Sequence, residues 1–164
     1  MNSKQIKLVK QLKNRWLFSV FAWTKVPMLA LSGAKVKEFN KQRAQVAVPF
    51  KYLNKNPFQS MYFAVQSMAA ELSTASLVLL ALKEFEENIA FIVTASEATF
   101  IKKAAGKVVF ECVDYELFRS GIQKAVKTGE GVAIKAETVG KLISGEEVAR
   151  FTFTWSFKKR IPKK

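Results

Sequence analysis

The 164-residue sequence predicts an α+β fold in which a curved antiparallel sheet wraps around one long buried helix. Three observations carry this. After Pro57 the chain reaches Leu82 without another Gly or Pro, and most of that run is apolar. It is too long for a strand and long enough for a helix. On its N-terminal side, Ala44, Val46, Val48 and Phe50 alternate with Arg43, Gln45 and Ala47. Near the end of the chain, Phe151, Phe153, Trp155 and Phe157 alternate with Arg150, Thr152, Thr154 and Ser156. A period of two is the signature of a half-buried strand.

The elements follow in order. Residues 3–24 predict an extra N-terminal amphipathic helix, with Ile6, Val9, Leu12, Trp16, Val20 and Trp23 at three- and four-residue spacing. Such a basic, aromatic helix can pack on its own sheet or lie on a membrane surface. Its apolar run is short and its basic region long, which fits a signal peptide poorly. No run reaches the ~18 apolar residues of a membrane span. Residues from Val26 predict a turn, and Ala34–Phe39 a strand. Asn40-Lys41-Gln42 turns the chain into the strand that ends near Phe50. The long helix is expected to start at Asn56-Pro57, where Asn caps free N–H groups and Pro suits the first position.

Ile89, Phe91 and Val93 open a strand expected to run to Lys102, and Gly106 turns the chain into Val108–Cys112. Tyr115–Val126 predicts a helix capped by Asp114 and ended by Gly129 and Gly131. Val132–Val139 is a strand, and Ser144-Gly145 a hairpin turn before the last one. A basic tail, residues 158–164, is expected to fray. The chain is expected to form one domain, 1–164, with its core at about 33–157.

Composition narrows the chemistry. There is no His, which excludes a Ser-His-Asp or Cys-His triad and a His-ligated zinc. Cys112 is the lone cysteine, so no intramolecular disulfide forms. No Asp/Glu cluster has metal-ligand spacing, and no metal is expected. The net charge of +14 attracts phosphates, anionic membrane or acidic partners without choosing among them. Terminal lysines, Lys163 and Lys164 among them, contribute part of it.

The polar residues of the long helix form one stripe. Ser60, Ala64, Ser67, Glu71 and Thr74 recur at spacings of four and three. Small groups in line suit close approach of a second copy, so an obligate dimer or dimer-based tetramer is expected. Glu71 is a carboxylate in an apolar element, where burial raises its pKa. It is either bonded within a structural network or exposed, or it acts as a catalytic base that positions water.

These residues resemble the hotdog-fold proteins, and more narrowly an uncharacterised hotdog domain family related to phenylacetic-acid-pathway acyl-CoA thioesterases. The family pattern is an Asn, a Gly-Thr/Ser-Met step, then an apolar helix carrying Glu-Leu. Asn56, Ser60-Met61 and Glu71-Leu72 match it; Gln59 stands where Gly is usual. The resemblance implies an acyl-CoA thioesterase with Glu71, Asn56 and Ser60 as catalytic residues. Gln59, Met61, Ser67, Thr74, Arg43 and Lys55 would contact substrate. Relatives use a backbone N–H near this helix start to polarise the thioester carbonyl, and their site forms between protomers. Asn56 and Glu71 are about 20 Å apart if both lie on one helix, which requires such sharing.

Arg43, Lys51, Lys55, Lys102, Lys103 and Arg119 are candidates for coenzyme A phosphates. No cofactor is expected beyond the coenzyme A thioester as substrate, and the expected location is cytoplasmic. Two other classes stay open. One is a non-catalytic acyl-thioester-binding protein, to which Gln59 points. The other is a nucleic-acid or membrane-surface protein driven by charge. No nucleic-acid motif is present, so no nucleic-acid partner is expected.

Overall fold

The computed structural model describes residues 1–160. It begins with three helices, α1 (Ser3–Lys13), α2 (Arg15–Lys25) and α3 (Pro27–Ser32). The expected single helix over 3–24 is therefore two. Asn14 breaks it: its backbone is extended, and its side chain accepts hydrogen bonds from the N–H groups of Trp16 and Leu17. This is N-capping, which restarts a helix in a new direction. Residues after Val26, expected as a turn, form α3, with Pro27 in its first turn.

The sheet follows. Strand β1 (Lys35–Phe39) and β2 (Ala44–Val48) form a hairpin, and a 3-10 turn at Tyr52–Asn54 leads away from it. The central helix α4 spans Phe63–Leu82. Strands β3 (Ile89–Phe100) and β4 (Val108–Cys112), helix α5 (Tyr115–Thr128), and strands β5 (Val132–Leu142) and β6 (Glu147–Lys159) complete the chain. The order across the six-stranded antiparallel sheet is β1-β2-β4-β5-β6-β3. The sheet curves around α4, as expected. The expected tail begins inside β6: Lys158 and Lys159 pair with Ala90 and Ile89. Its Lys163 and Lys164 lie outside the described residues.

Helix α4 is long and apolar enough to cross a membrane by length and composition. The helix is apolar on average and not as an unbroken run, since Gln66, Ser67, Glu71, Ser73, Thr74 and Ser76 interrupt it. Its surroundings make it a core helix instead. Val65, Ala69, Ala70, Leu77, Val78, Leu80 and Ala81 are buried under the sheet and its partner helices. Short hydroxyls hold it in register. Ser73 Oγ lies 2.7 Å from Thr138 Oγ1 on β5, and Trp155 Nε1 on β6 donates to Thr74 Oγ1 at 3.2 Å. The β6 face Phe151-Phe153-Trp155-Phe157 is buried as expected, but it serves two helices. Phe118 of α5 meets Phe157 edge-on. Gly121 lets α5 approach β5 closely, since a Cβ there would sit 2.4 Å from Ile134 Cγ1. Asp114 does not cap α5. Its carboxylate accepts from the Glu137 N–H instead.

One polar knot ties the end of α4 to the rest. The Glu84 carboxylate accepts hydrogen bonds from Lys41, Tyr115 Oη, Arg119 Nε and Gln5 Nε2. Burial alone would raise its pKa, but these four donors outweigh that and hold it at about 2. Tyr115 and Gln5 are themselves buried, so the knot joins α1, α5 and the β1–β2 turn.

Truncation of Phe153 to Ala is expected to destabilise the fold by about 3–5 kcal/mol, measured in denaturant melts. A loss under about 1 kcal/mol would contradict the packing described. The depressed Glu84 pKa sets a second expectation. Its contribution is present above the ordinary carboxylate value of 4.5 and is lost as pH falls toward about 2. Melting temperature should therefore decline across that window, and the decline should be shallower in Glu84→Gln.

Candidate functional site

The loop between β2 and α4 is built around Asn56. Its Oδ1 accepts from the N–H groups of Phe58 (3.0 Å) and Ser60 (3.1 Å). Its own N–H donates to the Ser60 carbonyl at 2.8 Å, and its carbonyl accepts from Gln59 N–H at 3.1 Å. Asn favours such local bonding to its own backbone. The tight loop forces Gln59 to φ 57°, the left-handed region. That explains why a Gly suits the position: it adopts positive φ without a Cβ penalty. Asn56 therefore shapes the loop and does not start the helix, as the sequence had suggested. Helix α4 begins seven residues later, at Phe63.

That late start has a chemical consequence. Tyr62 is the N-cap residue and provides no side-chain cap. Among the described residues, no acceptor meets the N–H groups of Phe63 and Ala64. Two donors at the positive end of a 20-residue helix are thus left unpaired. Phe63, the first of the two, borders a cavity of about 770 Å³ that is also lined by Lys55, Asn56, Ser60, Met61, Gln66 and Phe100–Lys103. Gln66 is 4% exposed, and its Nε2 donates to the Met61 carbonyl. Its Oε1 has no partner among the described residues. An unpaired buried acceptor is costly unless something fills it. Gln66 was missed in the sequence, although an amide inside an apolar helix is a visible signal.

Glu71 lies elsewhere. It sits two turns into α4, about 12 Å along the axis from Phe63 at 1.5 Å per residue. It lines a separate apolar cavity of about 410 Å³ with Phe21, Pro27, Met28, Leu29, Met68 and Leu72. The carboxylate is open to solvent on one side and has no hydrogen-bond or ion-pair partner among the described residues. The apolar wall desolvates it and raises its pKa above the ordinary value. Of the non-catalytic alternatives for Glu71, the structural network is not found, and exposure to solvent is. One chain does not bring Glu71 to the Asn56–Ser60 loop.

The other sequence candidates divide. Lys55 and Met61 line the first cavity with Asn56 and Ser60; Met61 is buried, and its N–H donates to the Ala104 carbonyl. Gln59 is exposed at the loop tip. Ser67 is half-buried on the outward side of α4. Thr74 is fully buried, with its hydroxyl bonded to Trp155 and to the Glu71 carbonyl, so it anchors the sheet and offers no ligand a group. The outward stripe of α4 runs instead through Ala64, Ser67, Met68, Glu71, Leu72, Ala75 and Leu79. Arg43 pairs with Glu38 and Glu111 and lines neither cavity. Lys102 pairs with Glu146, Arg119 with Glu84, and Lys51 donates to the Leu31 carbonyl. Lys55 and Lys103 have no ion-pair partner among the described residues. Burial pushes the Cys112 thiol up to about 12, which removes it as a nucleophile at neutral pH. Among the described residues, no group of three Cys, Asp or Glu side chains is placed to hold a metal.

A curved sheet around a central helix, with a polar loop at the helix start and a carboxylate on its open face, defines a protein of the hotdog fold. A probable thioesterase of unknown function from Pseudomonas aeruginosa is similar over 92% of this chain and 99% of its own, with 19% identity and a TM-score of 0.73. A thioesterase from Haemophilus influenzae aligns over 94% and 97%, with 12% identity and a TM-score of 0.66. A thioesterase-family protein from Silicibacter pomeroyi aligns over 87% and 96%, with 16% identity and a TM-score of 0.60. At these identities the likeness is one of fold. No curated protein matches the chain. The chain belongs to the family described as a domain of unknown function, DUF4442, whose model matches residues 14–157.

The strained Gln59 gives a direct check on the loop. Gln59→Gly relieves the left-handed penalty but adds freedom to the unfolded chain. The net expected gain is about 0.5–1 kcal/mol in a denaturant melt. A loss of stability would contradict the backbone conformation described.

Proposed function

We propose that the protein is an acyl-thioester hydrolase acting on acyl-CoA, with a site shared between two copies of the chain. The observation that carries this is the separation of complementary halves on one helix. The start of α4 holds two unpaired N–H donors beside a cavity. The outward stripe holds an unpartnered carboxylate with a raised pKa. In an antiparallel pairing of two copies, each Glu71 would face the other copy's loop, twice over by symmetry. The similarity to solved thioesterases supports the chemistry.

The roles follow from the groups present. The N–H groups of Phe63 and Ala64 would stabilise the oxyanion as the thioester carbonyl is attacked. Glu71 of the other copy would take a proton from the attacking water. Lys55 and Lys103, at the mouth of the first cavity, would meet coenzyme A phosphates. Ser60 would bond the acyl or pantetheine portion, and Gln66 Oε1 would accept from a substrate amide N–H.

Dimerisation is supported by β3. It is a 12-residue edge strand, paired on one side only, with exposed Phe91, Ile92 and Phe100. A long apolar edge invites pairing with another strand. A non-catalytic acyl-thioester-binding protein is the second reading. The departure at Gln59 favours it, since a strained side chain stands at a loop position where the resembled family pattern has Gly.

Purified protein presented with a panel of acyl-CoAs is expected to release free thiol from at least one. Glu71→Gln should keep the fold and substrate binding while lowering turnover by about 10²–10⁴, the usual worth of a general base. The wild-type rate should rise with pH through a value above the ordinary carboxylate range, because the base acts ionised and its pKa is raised. Binding without thiol release would establish the second reading. Unchanged turnover in well-folded Glu71→Gln would end the assignment of Glu71.

A further inference from the structure

Helix α2 is apolar on two opposite sides. Phe18 and Ala22 are buried against the rest of the chain, at 5% and 2% exposure. Trp16, Val20 and Trp23, at spacings of four and three, form a stripe roughly opposite and are 79%, 49% and 56% exposed. Met28 and Leu31 of α3 are exposed as well. A helix on a water-facing surface normally turns polar residues outward. Two exposed tryptophans in line with Val20 form a patch that calls for a cover.

The charge around the patch says what covers it. Residues 1–37 contain Lys4, Lys7, Lys10, Lys13, Arg15, Lys25, Lys35 and Lys37 and no Asp or Glu; Glu38 is the first carboxylate. Among the described residues, only Lys4 of these eight forms an ion pair, with Glu86. A second copy of the same face would bring like charges together. An anionic lipid surface fits both features. Tryptophan favours the boundary between headgroups and hydrocarbon, and unpaired lysines attract acidic headgroups.

We infer that α1–α3 form a docking face for an anionic membrane surface, with Trp16, Val20 and Trp23 inserted at the headgroup level. The face does not depend on the thioesterase reading. It lies against the Glu71 cavity, because Phe21, Met28 and Leu29 of the same helices wall that cavity. A chain seated on lipid this way holds the cavity close to the bilayer surface.

Sedimentation of the full chain with vesicles tests this. Phosphatidylcholine vesicles containing phosphatidylglycerol are expected to carry the protein down, and phosphatidylcholine alone to leave it in solution. Trp16→Ser/Trp23→Ser should weaken binding roughly tenfold or more, with unchanged circular dichroism. Should that variant misfold, Lys10→Glu/Lys13→Glu replaces it, since both side chains are exposed; the same loss is expected. No binding to anionic vesicles, or equal binding to neutral ones, overturns the proposal. So does undiminished binding by the folded variants. A Trp variant that changes oligomeric state while vesicle binding persists would assign the face to contacts between proteins.

Discussion

The grip of the sheet on α4 is the constraint on which the rest depends. Hydroxyls of Ser73 and Thr74 bond to β5 and β6, so the helix cannot rotate about its axis without leaving buried donors unpaired. That rotation fixes which residues look outward. Glu71 is one of them, and Thr74, only three positions on, is not. The same fixed rotation places Met68, Leu72 and Ala75 around the carboxylate. The apolar surroundings that raise its pKa are therefore a by-product of how the core is held.

The second consequence concerns the helix start. A helix beginning at Asn56 would have consumed its N-terminal donors in a cap. The Asn56 loop instead closes on itself, and α4 begins without a cap. Donors at one end and a carboxylate two turns on are too far apart for one small reacting group. One chain carries the uncapped helix start and the unpartnered carboxylate and does not bring them together.

Much of this was legible in the sequence. Length and the absence of Gly and Pro marked α4, and the alternation in β2 and β6 is strong because one face of each is buried. What failed was local. Asn14 ended one helix and began another, yet a single capping residue inside a continuous apolar pattern leaves the periodicity almost unchanged. Asn56-Pro57 looked like a helix start because loop closure and capping use the same side chain. Thr74 matched the polar stripe by spacing, but spacing does not tell a hydroxyl facing the sheet from one facing outward. Arg43 and Lys102 looked free until the fold brought Glu111 and Glu146 beside them. The gap at Gln59 was visible as a departure from Gly, and its positive φ gives that departure a physical meaning.

The central claim is that Glu71 of one copy meets the Asn56–Ser60 loop of another. Chains carrying Glu71→Cys and differently tagged chains carrying Ser60→Cys can be mixed, allowed to exchange and treated with a short bis-maleimide. Cys112 does not interfere, because it is buried and its thiol is held near 12. The account predicts a covalent species containing one chain of each tag. It is contradicted if both introduced thiols react with a mono-maleimide yet no such species forms, or if a single chain carrying both cysteines links only to itself.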